Sequence, residues 1–127
     1  RHVPCLVYQG RYNMIDRNVE PEILPQAEAA GAGFVAFSPL AQGLLTGKYQ
    51  HGIPEGSRMT HSGFLKPDVL TPELLDQIAV WGKEAEAEGI TLAQYALRWV
   101  LRRPEVTSVI VGASSAAQLK SNLAAIK

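Results

Sequence analysis

Cysteine is almost absent: Cys5 is the single cysteine of 127 residues, so no internal disulfide can staple the fold. It lies in the apolar run Val3-Pro4-Cys5-Leu6-Val7, where it is expected to be a small buried hydrophobe, and it points to a reducing, cytoplasmic compartment. An excess of one charge is missing too. Twelve Lys and Arg balance twelve Asp and Glu, which leaves no basic field to recruit nucleic acid or anionic lipid. No apolar run approaches the roughly 20 residues of a membrane-spanning helix, and the basic and apolar regions of a secretion signal are lacking. His51 and His61 have no Cys or third histidine placed to complete a metal site, so both are expected on the surface and no metal is expected.

What is present is the composition of one soluble globular domain, with 46% apolar and 19% charged residues. The chain starts at Arg1 and runs almost at once into an apolar strand, and it stops at Lys127 without a polar tail. It is therefore expected to be a piece of something longer. Val3 to Gln9 reads as a strand, with Gly10 marking its exit and Gln9 at its carboxyl end, either on the ligand side of a parallel fold or as a solvated loop amide. Asp16-Arg17 reads as a surface ion pair. Glu20 to Ala30 predicts a short helix whose regular part begins at Pro25, with Ile23, Leu24, Ala27 and Ala30 near one face and Gly31 and Gly33 ending it.

The chain is organised around the stretch from Phe34 to Tyr49. Phe34-Val35-Ala36-Phe37 is apolar without helical spacing, as suits a strand buried on both faces, and Ser38-Pro39 ends it. In the following loop Gly43 and Gly47 permit close backbone approach, Ser38 and Thr46 offer hydroxyls, and Lys48 offers a cation for phosphate. Read by spacing alone, it is also an ordinary glycine-bearing loop with a surface lysine. Gln50 to Leu70 has no periodicity, and its Arg58 is a natural partner for phosphate oxygens. Thr71-Pro72-Glu73 starts a helix that runs to Gly89, and Thr91 starts another that Pro104 stops. Trp81, Tyr95 and Trp99 are read as core, and Arg98, Arg102 and Arg103 as a solvated face. Val106 to Val111 predicts a third strand. Gly112-Ala113-Ser114-Ser115 then leads into a helix from Ala116 to Ile126, with Leu119, Leu123 and Ile126 on one side. Its unpaired first N–H groups suit a phosphate; taken by itself, the junction is more simply read as Ser114 or Ser115 capping the helix. Gln118 and Asn122 are spaced to share a face.

Strand, helix, strand, long loop, two helices, strand, helix is an α/β order with three parallel strands. Such a sheet has two open edges and fits better as the closing part of an eight-stranded barrel than as a doubly wound domain. Gln9 with Tyr12-Asn13 resembles the Gln-x-x-Tyr-Asn motif after the sixth strand of the aldo-keto reductases. Ser38 to Tyr49 resembles their seventh-strand loop, and Gly112-Ala113-Ser114 with Gln118 and Asn122 their eighth-strand cofactor motif. The match is closest to the branch of the potassium-channel β subunits and bacterial glyceraldehyde-type reductases.

The resemblance implies that residues 1–127 are strands 6 to 8, with their helices, of a (β/α)8 barrel that binds NADPH and passes hydride to an aldehyde or ketone. It implies that Gln9 binds the nicotinamide carboxamide and that Phe37 packs against the ring. Ser38, Pro39, Leu40, Ala41 and Gln42 would line the pyrophosphate, Lys48 and Arg58 would neutralise phosphate, and Gly112, Ser114, Gln118 and Asn122 would hold the adenosine end. Relatives often carry a basic residue where this chain has Ser115 and an acidic one where it has Ser121, so NADH is not excluded. The family's catalytic Asp, Tyr, Lys and His belong to the first four strands. No catalytic residue is therefore expected here, neither Tyr8 nor Tyr12 is read as the acid, and the piece alone is expected to be inactive. Two other readings remain: a non-catalytic NADPH-sensing regulatory subunit of the channel-β type, or a half-barrel completed by a second copy or another chain.

Overall fold

The computed structural model describes residues 3–48, 55 and 67–126. Arg58, His51 and His61, and most of the Gln50 to Leu70 stretch, lie outside the described residues. The elements are β1 (Val7–Arg11), α1 (Ile23–Ala29), β2 (Gly33–Phe37), α2 (Pro72–Ala87), α3 (Leu92–Leu101), β3 (Val106–Val109) and α4 (Ala116–Ala124), with short 3-10 turns at Ala41–Thr46 and Pro67–Val69. The strands form one parallel sheet in the order β1-β2-β3, as the strand-helix-strand pattern predicts.

The helix starts follow local chemistry. The Thr71 hydroxyl accepts from the Leu74 N–H, with Pro72 at the first position. Thr91 and Gln94 form a reciprocal capping box. In α1 the regular part begins at Ile23, two residues before Pro25. The proline is tolerated because first-turn N–H groups have no intrahelical partner. Gly31 ends this helix with φ 69°, a left-handed conformation that suits glycine.

The first strand departs from expectation. Val3 to Leu6 is not strand, since β2 begins only at Gly33, opposite Val7. Among the described residues no ladder or helix covers this run, and Cys5 is exposed, which corrects the buried reading. Gly10 does not end the strand but sits inside it, and Gln9 is mid-strand. A Cβ at Gly10 would lie 2.9 Å from Phe34 Cζ and 3.1 Å from Tyr8 Cε1, so the glycine serves close ring packing rather than a turn. At the other end of the chain β3 stops at Val109, because its partner register runs out at Ala36.

Two apolar clusters hold the layers together. Tyr12, Val19, Leu24, Phe34, Ala36, Val100 and Val106 join the sheet to α1 and α3, with Trp99 packed beside them. Met14, Leu44, Leu45, Ile78, Leu92 and Ala96 join the loop after β2 to α2 and α3, with Trp81 and Tyr95 packed against them. Trp81, Tyr95 and Trp99 are only partly buried and pack at the edge of the core, where the sequence suggests the core itself. Ala30, Leu119, Leu123 and Ile126 are exposed. So are Val3, Leu6 and Val7 on the β1 side.

Charged groups are more engaged than the sequence suggests. Arg17 pairs with Glu20 at 2.9 Å rather than with Asp16. Arg103 is half-buried and binds Glu105 at 2.9 Å, with Glu20 at 3.9 Å, whereas Arg98 and Arg102 stay exposed. Arg17 and Arg102 both lie over the Trp99 ring, 5.2 and 4.1 Å from its centroid.

Candidate functional site

A cleft of about 580 Å³ opens at the carboxyl ends of β2 and β3. One wall is the last residue of β2, Phe37, and the loop after it, with Ser38, Pro39, Leu40, Gln42, Gly43, Thr46 and Lys48. The other is Ile110 to Ser114 with Gln118. The fold thus brings together nine residues that the sequence selects: Phe37, Ser38, Pro39, Leu40, Gln42, Lys48, Gly112, Ser114 and Gln118.

The first wall is built on an apolar anchor. Leu44 and Leu45 are buried in the core against α2 and α3, which leaves the preceding backbone to turn sharply at the cleft. Ser38, Ala41 and Gln42 all have left-handed backbone, with φ of 53°, 48° and 58°. For residues with a Cβ this costs about 1–2 kcal/mol each, and such strain concentrates at functional sites. Hydrogen bonds hold the path: Ala41 N to Ser38 O at 3.0 Å, Gly43 N and Leu45 N to Leu40 O at 3.0 and 3.2 Å, and Thr46 Oγ1 to Gly43 O at 2.6 Å.

The second wall ends in a helix N-terminus. The Ser115 hydroxyl accepts from Gln118 N at 3.1 Å and so caps α4. Gln118 Oε1 reaches back to accept from Ser114 N at 2.7 Å and Ser114 Oγ at 3.0 Å. This reciprocal lock fixes Ser114 and Gln118 at the cleft mouth, where the first-turn N–H groups and helix dipole favour an anion.

The remaining predicted residues lie elsewhere. Ala41 turns toward the core cluster. Gln9 is an exposed strand residue opposite Val35, two positions before the end of β1. Asn122 is 5% exposed and lines a second, mostly apolar cavity of about 240 Å³, together with Leu97, Leu101, Val109 and Leu123. One helical turn past Gln118 carries it roughly 6 Å along α4. Its Nδ2 has no hydrogen-bond partner among the described residues. Val111 lines both cavities, so the two are neighbours.

Sequence reading missed several contributors. Ile110 and Val111 line the cleft, because the segment leaves the strand earlier than its β-branched run suggests. Arg11 lies 5.7 Å from the centroid of Phe37, its register partner. Only a strand continuing through Gly10 could have revealed it. Tyr12 is fully buried, donates to Glu20 Oε1 at 2.6 Å, and has its phenol pushed well up, first by burial and then by that carboxylate.

A polar cleft with hydroxyls and a lysine, at the carboxyl ends of parallel strands, suits a phosphate-bearing ligand and defines an α/β protein with a cleft where such folds commonly bind ligands. Within that class the chain belongs to the aldo/keto reductase family, whose model matches residues 1–127. It is 44% identical over 129 residues to the L-glyceraldehyde 3-phosphate reductase of Escherichia coli O157:H7, covering 98% of this chain and 37% of that protein. It is 42% identical over 124 residues to a putative voltage-gated potassium channel subunit beta of Schizosaccharomyces pombe, covering 94% and 36%. An NADH-specific methylglyoxal reductase of Escherichia coli K12 is 31% identical over 121 residues, covering 94% and 36%. The chain spans little more than a third of the length of these curated relatives. Both branches read from the sequence are among them. The family implies a (β/α)8 barrel.

Proposed function

We propose that this chain is the dinucleotide-binding part, strands 6 to 8 with their helices, of a (β/α)8 reductase that acts on aldehydes or ketones with NADPH. The observation that carries the reading is the cleft, which gathers nine of the thirteen residues selected by the resemblance between one loop and one helix N-terminus. The nicotinamide, when bound, supplies the hydride. The chain's own residues bind and orient. The Ser38 to Gln42 backbone and the start of α4 would receive phosphate oxygens, Lys48 would balance their charge, and Ser114 with Gln118 would take the adenosine end. The Nδ2 of Asn122, without a hydrogen-bond partner among the described residues, would be an amide donor in reserve beside that end. Phe37 would offer a ring face backed by Arg11. Gln9 and Arg58 keep their assigned roles at the carboxamide and phosphate within this proposal.

The proton donor is not in this chain on this reading. Tyr12 is buried and committed to Glu20, with its ionisation disfavoured, which makes it a structural phenol. The open sheet edges and the exposed Leu6, Val7, Leu119 and Leu123 support completion by further barrel strands. The 31% identity to an NADH-specific relative supports NADH as the alternative donor. A second reading, a subunit that binds NADPH without turning it over, is supported by the 42% identity to the channel-subunit relative.

Titration of NADPH into the full-length protein, followed by nucleotide fluorescence, tests the site. Saturable binding that weakens about tenfold in Lys48→Met, through loss of one charge-assisted contact, is the expected result. Absence of binding overturns the proposal. Addition of a carbonyl compound to the loaded protein then separates the readings, since oxidation of NADPH marks a reductase and its persistence marks the sensing subunit.

A further inference from the structure

In the motif Gln9-x-x-Tyr12-Asn13 the dinucleotide reading gives no part to Tyr12, which is committed to Glu20, or to Asn13. The Asn13 side chain is 2% exposed and joins two loops. Asn13 Nδ2 donates to Ser38 O at 3.0 Å. Its Oδ1 accepts from Ile15 N at 2.9 Å and from Asp16 N at 2.7 Å, and its own N–H donates to Asp16 O at 3.1 Å. The amide is thus fixed on one side by a tight turn and aims its N–H at the first residue of the cleft loop. That residue is Ser38, the first of the three left-handed non-glycine residues in the loop. The neighbouring Tyr12 N donates to Phe37 O at 3.3 Å, so consecutive residues after β1 hold consecutive carbonyls at the end of β2.

We propose that Asn13 is a positioning residue for the cleft: it holds Ser38 in its strained conformation and so keeps the loop preformed for the ligand. The proposal deepens the dinucleotide reading and rests on it for the identity of the ligand. A strained conformation persists only where its surroundings over-determine it. The loop's own bond to Ser38 O comes from Ala41, itself left-handed, so the loop cannot stabilise this turn without outside support. The outside donor at that carbonyl is Asn13. A preformed loop lowers the ordering cost of binding.

The decisive variant is Asn13→Asp in the full-length protein. It keeps the acceptor that closes the turn to Ile15 and Asp16 but replaces the donor facing Ser38 O with a carboxylate oxygen. In nucleotide-free protein, hydrogen exchange at the Ala41, Gly43 and Leu45 amides is expected to accelerate about tenfold or more, while the α3 amides keep their protection. NADPH binding is expected to weaken by a similar factor. Ser38→Gly should rescue, because glycine takes φ 53° unaided and the double variant then loses little relative to Ser38→Gly alone. Unchanged loop exchange in Asn13→Asp, acceleration spread evenly over α3, or failure of Ser38→Gly to rescue each overturns the positioning role. If the wild-type protein binds no NADPH, the dinucleotide reading fails, and the exchange comparison still decides what Asn13 does.

Discussion

Substituting Gly10 by alanine tests whether ring packing, rather than turn formation, explains this glycine. The added Cβ would meet Phe34 Cζ at 2.9 Å, Phe34 Cε2 at 3.1 Å and Tyr8 Cε1 at 3.1 Å. Phe34 is fully buried, stacked on Tyr8 at 5.8 Å and edge-on to Tyr12 at 6.4 Å, so its ring has no free direction in which to retreat. Overpacking of this kind costs about 1–3 kcal/mol. Replacing glycine in extended backbone returns roughly 0.4–1 kcal/mol through the unfolded chain. A net loss of about 1–2 kcal/mol is the expected outcome. Equilibrium urea unfolding of the full-length protein measures it, and Phe34→Leu supplies the control by shortening the ring. In the Phe34→Leu background the added methyl should cost little, giving a coupling near the whole of the single-variant loss. A stabilised Gly10→Ala protein, or a cost that persists unchanged with leucine at 34, would refute the packing argument.

Two further perturbations address the charged cluster and the loop anchor. Glu20 accepts from Tyr12 Oη and from the Arg17 guanidinium at 2.6 to 3.0 Å, and the Arg17 bond, against the opposing effect of burial, holds its carboxyl below the usual range. A depressed folded pKa contributes stability that is present above the unfolded value of about 4.3 and is lost as pH falls through the folded value. Glu20→Gln should therefore cost about 1–3 kcal/mol at pH 7, with the difference from wild type shrinking below pH 4. Unfolding measured at both pH values checks this, and an equal cost at each sinks it. Leu45→Ala empties a fully buried position under the cleft loop, so a loss of about 2–4 kcal/mol with weakened nucleotide binding is expected. A loss below about 1 kcal/mol would show that the loop does not stand on this side chain.

What the sequence made legible follows the range over which each signal acts. Thr71-Pro72 and Thr91 announce helices because caps satisfy N–H groups within three residues, and both starts fall where they are expected. Strand ends were less legible, because a ladder begins and stops with its partner. Val3 to Leu6 has strand composition, but the register with β2 begins only at Val7, and Ile110-Val111 outruns the register of β2. Cys5 went from buried to exposed for the same reason.

The cleft shows the same division more sharply. Its residue types were legible as a string, since Ser38, Gly43, Thr46, Gly47 and Lys48 set hydroxyls, glycines and a cation around the apolar pair Leu44-Leu45, a set that suits phosphate and equally fits an ordinary glycine-bearing loop. Its shape was not. Gly43 and Gly47 have the positive φ that glycine invites, but Ser38, Ala41 and Gln42 share it without any local preference for it. Non-glycine residues reach that conformation only when distant groups impose it: here Leu44 and Leu45 pull the loop's far end into the core, while Asn13, 25 positions away in sequence, holds its near end. Arg11 at Phe37 and the displacement of Asn122 to a second cavity have the same origin, for each depends on where a strand or helix turn lands against its neighbour. The chemical identity of the site is thus a local property of the chain, and its preorganisation is a property of the packed sheet.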